Sequence, residues 1–390
     1  MVRRGRGIFG VKKMKTILYL TGFLLGGLAG LAQVVPLKAA NWVYRPGAAE
    51  FGDSAGVAQL KILSSNGYVV LKNMDFGDGT IEMDLIPTDP AFAQVYFRWQ
   101  DSLESESFYF RTQRGIGHPY VMEAVQYTPI IRGTMCWDMM EHYEGNATFW
   151  QERPNHLKLV VSGKRMLVFV NGQAAGTVRQ PTLDIPELEG NTMHGTIAFA
   201  GQAIISNLVL KPGKVEGLSP VAATDPTAHD PRYLRHWQMT KPDSIPGGSD
   251  FSYGQMPGKE TAWEPIDAER RGVINLTRRW AVNRRHQIIW LKTTIRAEDA
   301  RNATLRLGFL DEVWMLLNGR FVFVDKNFFS QPIAKSKGRL SLENATVTLP
   351  LQQGDNELLV GLGSNFYSWA LVARLDLTDG LTIERTADGR

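Results

Sequence analysis

Two apolar runs that each end in an Asn-Gly pair constrain this chain most. They are Met166-Leu-Val-Phe-Val-Asn-Gly-Gln173 and Val313-Trp-Met-Leu-Leu-Asn-Gly-Arg-Phe-Val-Phe323. Asn-Gly accepts the two positive φ values of a type I′ turn, so each run predicts a tight β-hairpin. The two turns lie about 147 positions apart, close to one domain length. At 390 residues the chain is too long for a single sandwich core and suits two. The expectation is an all-β chain built as two antiparallel β-sandwiches in tandem.

Strand-like runs separated by Gly, Asn, Asp and Pro continue this pattern at 68–72, 80–86, 94–99, 108–112, 157–161, 166–170, 195–200 and 206–210. They resume at 235–239, 287–295, 303–309, 313–317, 321–324, 345–350, 356–361 and 370–377. No long segment keeps an apolar period of 3.6, so helices should be few and short. Residues 213–231, with Pro220, Pro226 and Pro231 and no periodicity, read as an interdomain linker. The first sandwich is then expected at 41–212 and the second at 232–385. Ile289, Leu291 and Thr293 alternate with Ile288, Trp290 and Lys292, predicting one buried face and one partly wet face. The polar, Gly- and Pro-rich stretch 242–265 is long enough to be a functional loop.

The formal charge of +4 is set by the N-terminus. Arg3, Arg4, Arg6, Lys12, Lys13 and Lys15 precede residue 33 with no acid among them, and without those six charges the rest stands at −2. A near-neutral body without a basic stripe argues against a nucleic-acid partner. Lys12, Lys13 and Lys15 followed by the apolar run 17–31 and by Gly30-Leu31-Ala32 read as a signal peptide over 1–32. Met14 is an alternative start, and an uncleaved anchor is the alternative fate of the segment. The expected location is secreted, periplasmic or cell-envelope, in a bacterium. Cys136 is the only cysteine, so no internal disulfide forms, and it reads as a small buried hydrophobe. The sequons at Asn146, Asn275, Asn302 and Asn344 matter only in a eukaryotic secretory route.

Residues 48–212 resemble the concanavalin A-like (laminin G-like) jelly-roll superfamily. The resemblance is carried by Phe76-Gly-Asp-Gly-Thr-Ile-Glu-Met-Asp84, Val95-Tyr-Phe-Arg-Trp99, His156-Leu-Lys-Leu-Val-Val-Ser-Gly-Lys-Arg165 and Val168-Phe-Val-Asn-Gly172. Residues 232–385 resemble a galactose-binding-like jelly roll, through Tyr233-Leu-Arg-His-Trp237, Leu305-Arg-Leu-Gly-Phe-Leu-Asp-Glu-Val-Trp314 and Leu349-Pro-Leu-Gln-Gln-Gly-Asp-Asn-Glu-Leu358. The resemblances imply jelly-roll topology in both halves and sugar recognition, with a partner hydrolase as a further implied associate. The first superfamily also contains glycosidases and adhesion modules, so fold leaves function open.

Glu82 and Asp84 share a strand face, as paired glycosidase acids do, but Ile86-Pro87-Thr88 stand where the resemblance to laminarinase-type members of the superfamily implies a third acid. They read as a solvent-facing pair. Gly115-Ile-Gly117 lies outside any strand-to-helix context and reads as a turn. The seven His residues form no His-x-His or His-Glu-x-x-His arrangement, so no cofactor is expected. Calcium is compatible with exported jelly rolls but has no place assigned.

Aromatic rings stack on pyranose faces while Asn, Gln, Arg and carboxylates read hydroxyls. That chemistry points to Arg98, Gln100, Glu123, Gln126, Tyr127, Arg132, Trp137 and Asp138 in the first half. In the second it points to Asp311, Tyr367 and Trp369 at strand ends. Arg98 reads equally as a structural partner of Glu123. The leading expectation is a non-catalytic carbohydrate-recognition protein. The alternatives are a glycoside hydrolase using Glu123, Asp138 and Glu141, or an adhesion module with no sugar site.

Overall fold

The Asn318-Gly319 pair closes the hairpin its run predicts. Strands Glu312–Leu317 and Arg320–Lys326 pair antiparallel with Leu317 opposite Arg320, and the two turn residues have φ of 51° and 76°. Asn171-Gly172 closes no such turn. The tight turn lies one strand earlier, at Gly163-Lys164, where Asn155–Ser162 meets Arg165–Val170 with Ser162 opposite Arg165. Among the described residues the strand that follows and pairs with Arg165–Val170 is Leu183–Ile185, with Val168 opposite Leu183.

Asn171 uses its left-handed φ of 49° for a side-chain contact instead. It accepts the His156 N–H at 2.9 Å and donates to Asn155 Oδ1 at 2.8 Å. Asn318 repeats this on the Glu357 N–H and Asn356 Oδ1, both at 2.9 Å. Asn155 and Asn356, fully buried, donate in turn to the carbonyls of Leu85 and Trp150, and of Ile295 and Gln352. Buried amides need such partners, so the two halves share an asparagine pair although their strand orders differ.

The computed structural model describes residues 32–63, 67–88, 92–112, 121–172, 181–246, 249–280 and 286–383. The signal-like segment before residue 32, Gly115-Ile-Gly117 and Gln173 lie outside them. The chain is all-β, two antiparallel jelly-roll sandwiches. In the first, one sheet runs in the order Leu183–Ile185, Arg165–Val170, Asn155–Ser162, Gly79–Pro87, Ala203–Pro212, Val57–Ile62, Ala49–Ser54. Its partner runs Glu144–Gly145, Val125–Tyr127, Glu106–Phe110, Ala93–Trp99, Thr196–Gly201, Val69–Leu71, Trp42–Val43. Strand Gly79–Pro87 shows why. Ile81, Met83 and Leu85 point into the core, while Glu82 and Asp84 face out onto Lys211, His156 and Asn207.

The second sandwich packs the sheet Glu264–Asp267, His236–Met239, Gln287–Ala297, Gly354–Ser364, Glu312–Leu317, Arg320–Lys326 on Val273–Asn275, Ala370–Leu375, Arg301–Phe309, Ala345–Leu351. The face of Gln287–Ala297 expected to be partly wet is dry at Ile288 and Trp290. Part of the 242–265 stretch folds over it, with Ile245, Phe251, Met256 and Trp263 forming a small second core there. That stretch covers a sheet face.

Leu310, Leu340, Ala370 and Val372 of the second sandwich join the core cluster of the first. Polar bonds rim this shared core. Arg278 donates to Glu189 O at 2.8 Å, Arg132 to Arg278 O at 2.9 Å, and Arg270 pairs with Glu187 at 3.3 Å. Residues 213–231 also pack rather than span space. Pro220 O accepts the Lys164 N–H and Pro186 O the Ala223 N–H. Among the described residues no helix is long and apolar enough to cross a membrane.

Candidate functional site

A cleft of about 280 Å³ opens where the two sandwiches meet. The first contributes Phe92, Tyr109, Arg111, Glu123, Met135 and Trp137; the second contributes Phe329, Lys337, Arg339, Phe366 and Tyr367.

Trp137 is presented by a short 3₁₀ turn, Trp137–Met139. Gln126, on the adjacent strand, fixes that turn by donating to Trp137 O at 2.7 Å and Met140 O at 3.1 Å. Around the indole stand the rings of Phe329 at 4.9 Å and Tyr367 at 5.6 Å, both edge-on. Phe366 stacks parallel to Phe329 at 5.7 Å. Tyr367 lines the cleft and remains 38% exposed.

The turn carrying Phe366 and Tyr367 is clamped by two buried carboxylates, one from each sandwich. Asp311 Oδ2 accepts the Asn365 and Phe366 N–H groups at 2.5 and 2.8 Å. Asp138 Oδ2 accepts the Ser368 N–H at 3.1 Å. Between them Tyr367 sits at φ 55°, a conformation non-glycine residues adopt only when their surroundings hold them. Burial pushes Asp138 up to about 7, and raises Asp311 well above the usual carboxylate range.

An ionic network adjoins the rings. Glu144, buried, accepts from Arg111 at 3.0 Å and from Arg339 at 2.7 Å. Burial raises its carboxyl while both guanidiniums pull it down. Arg111 also donates to Glu123 O at 2.9 Å and to the Tyr109 hydroxyl at 2.5 Å. Arg339 lies over Trp137 at 5.7 Å, and Lys337 bonds the Glu123 carboxylate. Rings and charged hydrogen-bonding groups lining one cleft suit an amphipathic ring such as a pyranose. The volume lies at the small end of the roughly 300–1,000 Å³ of ligand pockets, enough for about one such ring.

Three residues named from sequence therefore line the cleft: Glu123, Trp137 and Tyr367. Gln126 lies directly beneath it. The others do not reach it. Arg98 has φ 50°, which breaks the alternation that would have set it beside Gln100. Fully buried, it binds Asp78 at 2.9 Å and the carbonyls of Gly77 and Gly163, and Asp78 rather than Glu123 is its partner. Gln100 is exposed and outside the cleft. Tyr127 is in the core, donating to Glu106 at 2.6 Å. Trp369 is in the second core, its indole on Leu362 O. Asp311 and Asp138 are clamps, too buried to touch ligand, and Arg132 is spent on Arg278 O. Of the suspected acids, Glu141 lies 4.0 Å from Arg339 and lines a different cavity. Cys136 is buried and its thiol pushed up by desolvation, the state of an inert core residue.

Sequence reasoning missed Arg111, Glu144, Phe329, Lys337 and Arg339. Three of these lie in 327–339, between predicted strands. The only signal there is an adjacent Phe328-Phe329 pair followed by Lys335, Lys337 and Arg339. Among the described residues no group of three His, Cys, Asp or Glu gathers as metal ligands would.

No family model and no curated protein matches the chain. Solved structures similar to it include the carbohydrate-binding module CBM66 from Bacillus subtilis, at 12% identity over 44% of this chain and 91% of that one, with a TM-score of 0.31. The Caenorhabditis elegans galectin LEC-6 is 18% identical over 43% of this chain and 96% of its own, with a TM-score of 0.23. The VIP36 exoplasmic/lumenal domain in its Ca²⁺/Man3GlcNAc-bound form is 11% identical over 46% and 86%, with a TM-score of 0.33. Likeness at this level carries no argument about ligand, which rests on the cleft itself.

Proposed function

We propose that this chain is an exported carbohydrate-recognition protein whose saccharide site is the cleft between its two sandwiches. One observation carries the reading: the exposed Tyr367 and its ring neighbours line one cleft with Glu123, Lys337 and Arg339, a space for about one sugar ring. Export rests on the basic and apolar pattern of residues 12–32. The second sandwich supplies half of the site, so its role goes beyond that of an appended accessory module.

Binding is favoured over hydrolysis by the state of the acids. Glycoside cleavage needs one carboxylic acid able to give a proton and a second carboxylate across the bond. In the cleft Glu123 is held by Lys337, and Glu144 by Arg111 and Arg339. Each of these carboxylates is already tied to a cation of the protein.

A glycan array probed with the whole chain tests the reading, with Tyr367→Ala as control and release of reducing sugar measured in parallel. The expected result is retention of a defined glycan class, lost in the variant, without sugar release. No retained glycan, or retention indifferent to Tyr367→Ala, would sink it; turnover of a bound glycan would replace it with the hydrolase reading.

A further inference from the structure

Among the described residues three cations, Arg111, Arg339 and Lys337, meet the carboxylates of Glu144, Glu123 and Glu141 at the cleft and its rim. Glu144 is shared by Arg111 and Arg339 and neutralises one guanidinium of the two. Glu123 is engaged by Lys337. Which of these cations keeps unfilled donors can be read from hydrogen bonding. Arg111 spends both terminal nitrogens on protein acceptors. Arg339 spends only Nη2. Its Nη1 has ion-pair contacts alone, with Glu123 at 3.6 Å and Glu141 at 4.0 Å, beyond hydrogen-bond range. Its Nε is buried without a partner. Glu141 is 43% exposed, so water screens it.

Arg339 is itself only 6% exposed, a guanidinium fixed by burial, with unfilled donors on the cleft wall. Lys337, 66% exposed, stands beside it with one recorded partner for its three donors. A guanidinium presents a planar fork that matches a carboxylate.

We propose that the cleft takes a saccharide unit bearing a ring carboxylate, a hexuronate, seated with that carboxylate on Arg339 Nη1 and Lys337 Nζ. Glu123 then accepts from ring hydroxyls, and the apolar sugar face lies on the aromatic side. This rests on the saccharide reading above and names the class of sugar.

The test uses the whole chain on an array holding uronate, sulfated and neutral glycans. It is followed by titration of the best acidic glycan before and after reduction of its carboxyl groups to alcohols. Reduction should weaken binding at least about tenfold, the size of a charge-assisted hydrogen bond. Lys337→Gln should remove part of that difference, and Glu123→Gln should lessen competition for Lys337 and keep the preference for acid. Best ligands that are neutral, sulfated, or indifferent to carboxyl reduction would overturn the hexuronate while leaving saccharide binding intact. If no glycan of any class binds, the saccharide reading itself fails.

Discussion

Asp138 gives the sharpest handle on how the two sandwiches are joined. Its carboxyl is buried at the interface, with Oδ2 on the Ser368 N–H and Oδ1 unpartnered. Burial moves it from an ordinary 3.8 to about 7. In the unfolded chain the proton leaves near 4; in the folded chain it stays until about 7. Between those values the unfolded state binds fewer protons, so the Asp138 contribution to stability falls as pH rises and levels off above 7. The interval corresponds to about 4 kcal/mol at 1.36 kcal/mol per pKa unit, an upper value for a site that can relax.

Asp138→Asn keeps the shape and the acceptor for Ser368 but cannot ionise. The buried His142, of opposite sign, acts in both proteins, while Asp311, whose carboxyl the Asp138 charge helps to raise, is raised less in the variant and adds to the same trend. Urea unfolding at pH 5, 6, 7 and 8, followed by tryptophan fluorescence, gives the difference directly. The variant should gain on the wild type steadily from pH 5 and reach its full advantage of about 2–4 kcal/mol near pH 8. A difference that stays constant with pH, or shrinks as pH rises, would refute the account of Asp138.

Three further outcomes follow from the same contacts. Arg339→Met leaves Glu144 with Arg111 alone, and should lower stability by about 1–3 kcal/mol in chemical denaturation, the size of one lost charge-assisted hydrogen bond. Asn356→Ala removes the donor to Ile295 O and Gln352 O, and Asn155→Ala the donor to Leu85 O and Trp150 O. Each should cost about 2–4 kcal/mol, similar in the two halves because the arrangement is the same. Arg98→Met should lower the melting temperature yet leave glycan affinity within about twofold, since Arg98 braces Asp78 and never reaches the cleft.

How much of this was readable in the sequence depended on how local its cause was. Alternation in 80–86 and 303–309 was enough to place strands, because one pleated face must be apolar. Asn318-Gly319 was readable since the dipeptide favours the turn and apolar strands flank it on both sides. Asn171-Gly172 carries the same letters, but Gly163-Lys164 turns the chain one strand earlier, and no local rule decides between them. Arg98 failed for a related reason: a single positive φ inside a strand reverses the faces that alternation assigns. The cleft was half readable. Trp137, Glu123 and Tyr367 bear site chemistry wherever they lie, but Arg111, Glu144 and Arg339 acquire a role only when the two sandwiches pack. The 242–265 stretch looked functional for its length and polarity, while its scattered Phe251, Met256 and Trp263 were anchors onto Trp290.

The central claim is that one sugar ring is held jointly by both sandwiches. A crystal structure of the whole chain with the best glycan from the array tests it most directly. The account predicts a ring against the Trp137, Phe366 and Tyr367 side, with polar contacts to Glu123, Lys337 and Arg339. A glycan bound to one sandwich alone, away from Trp137 and Tyr367, would contradict it.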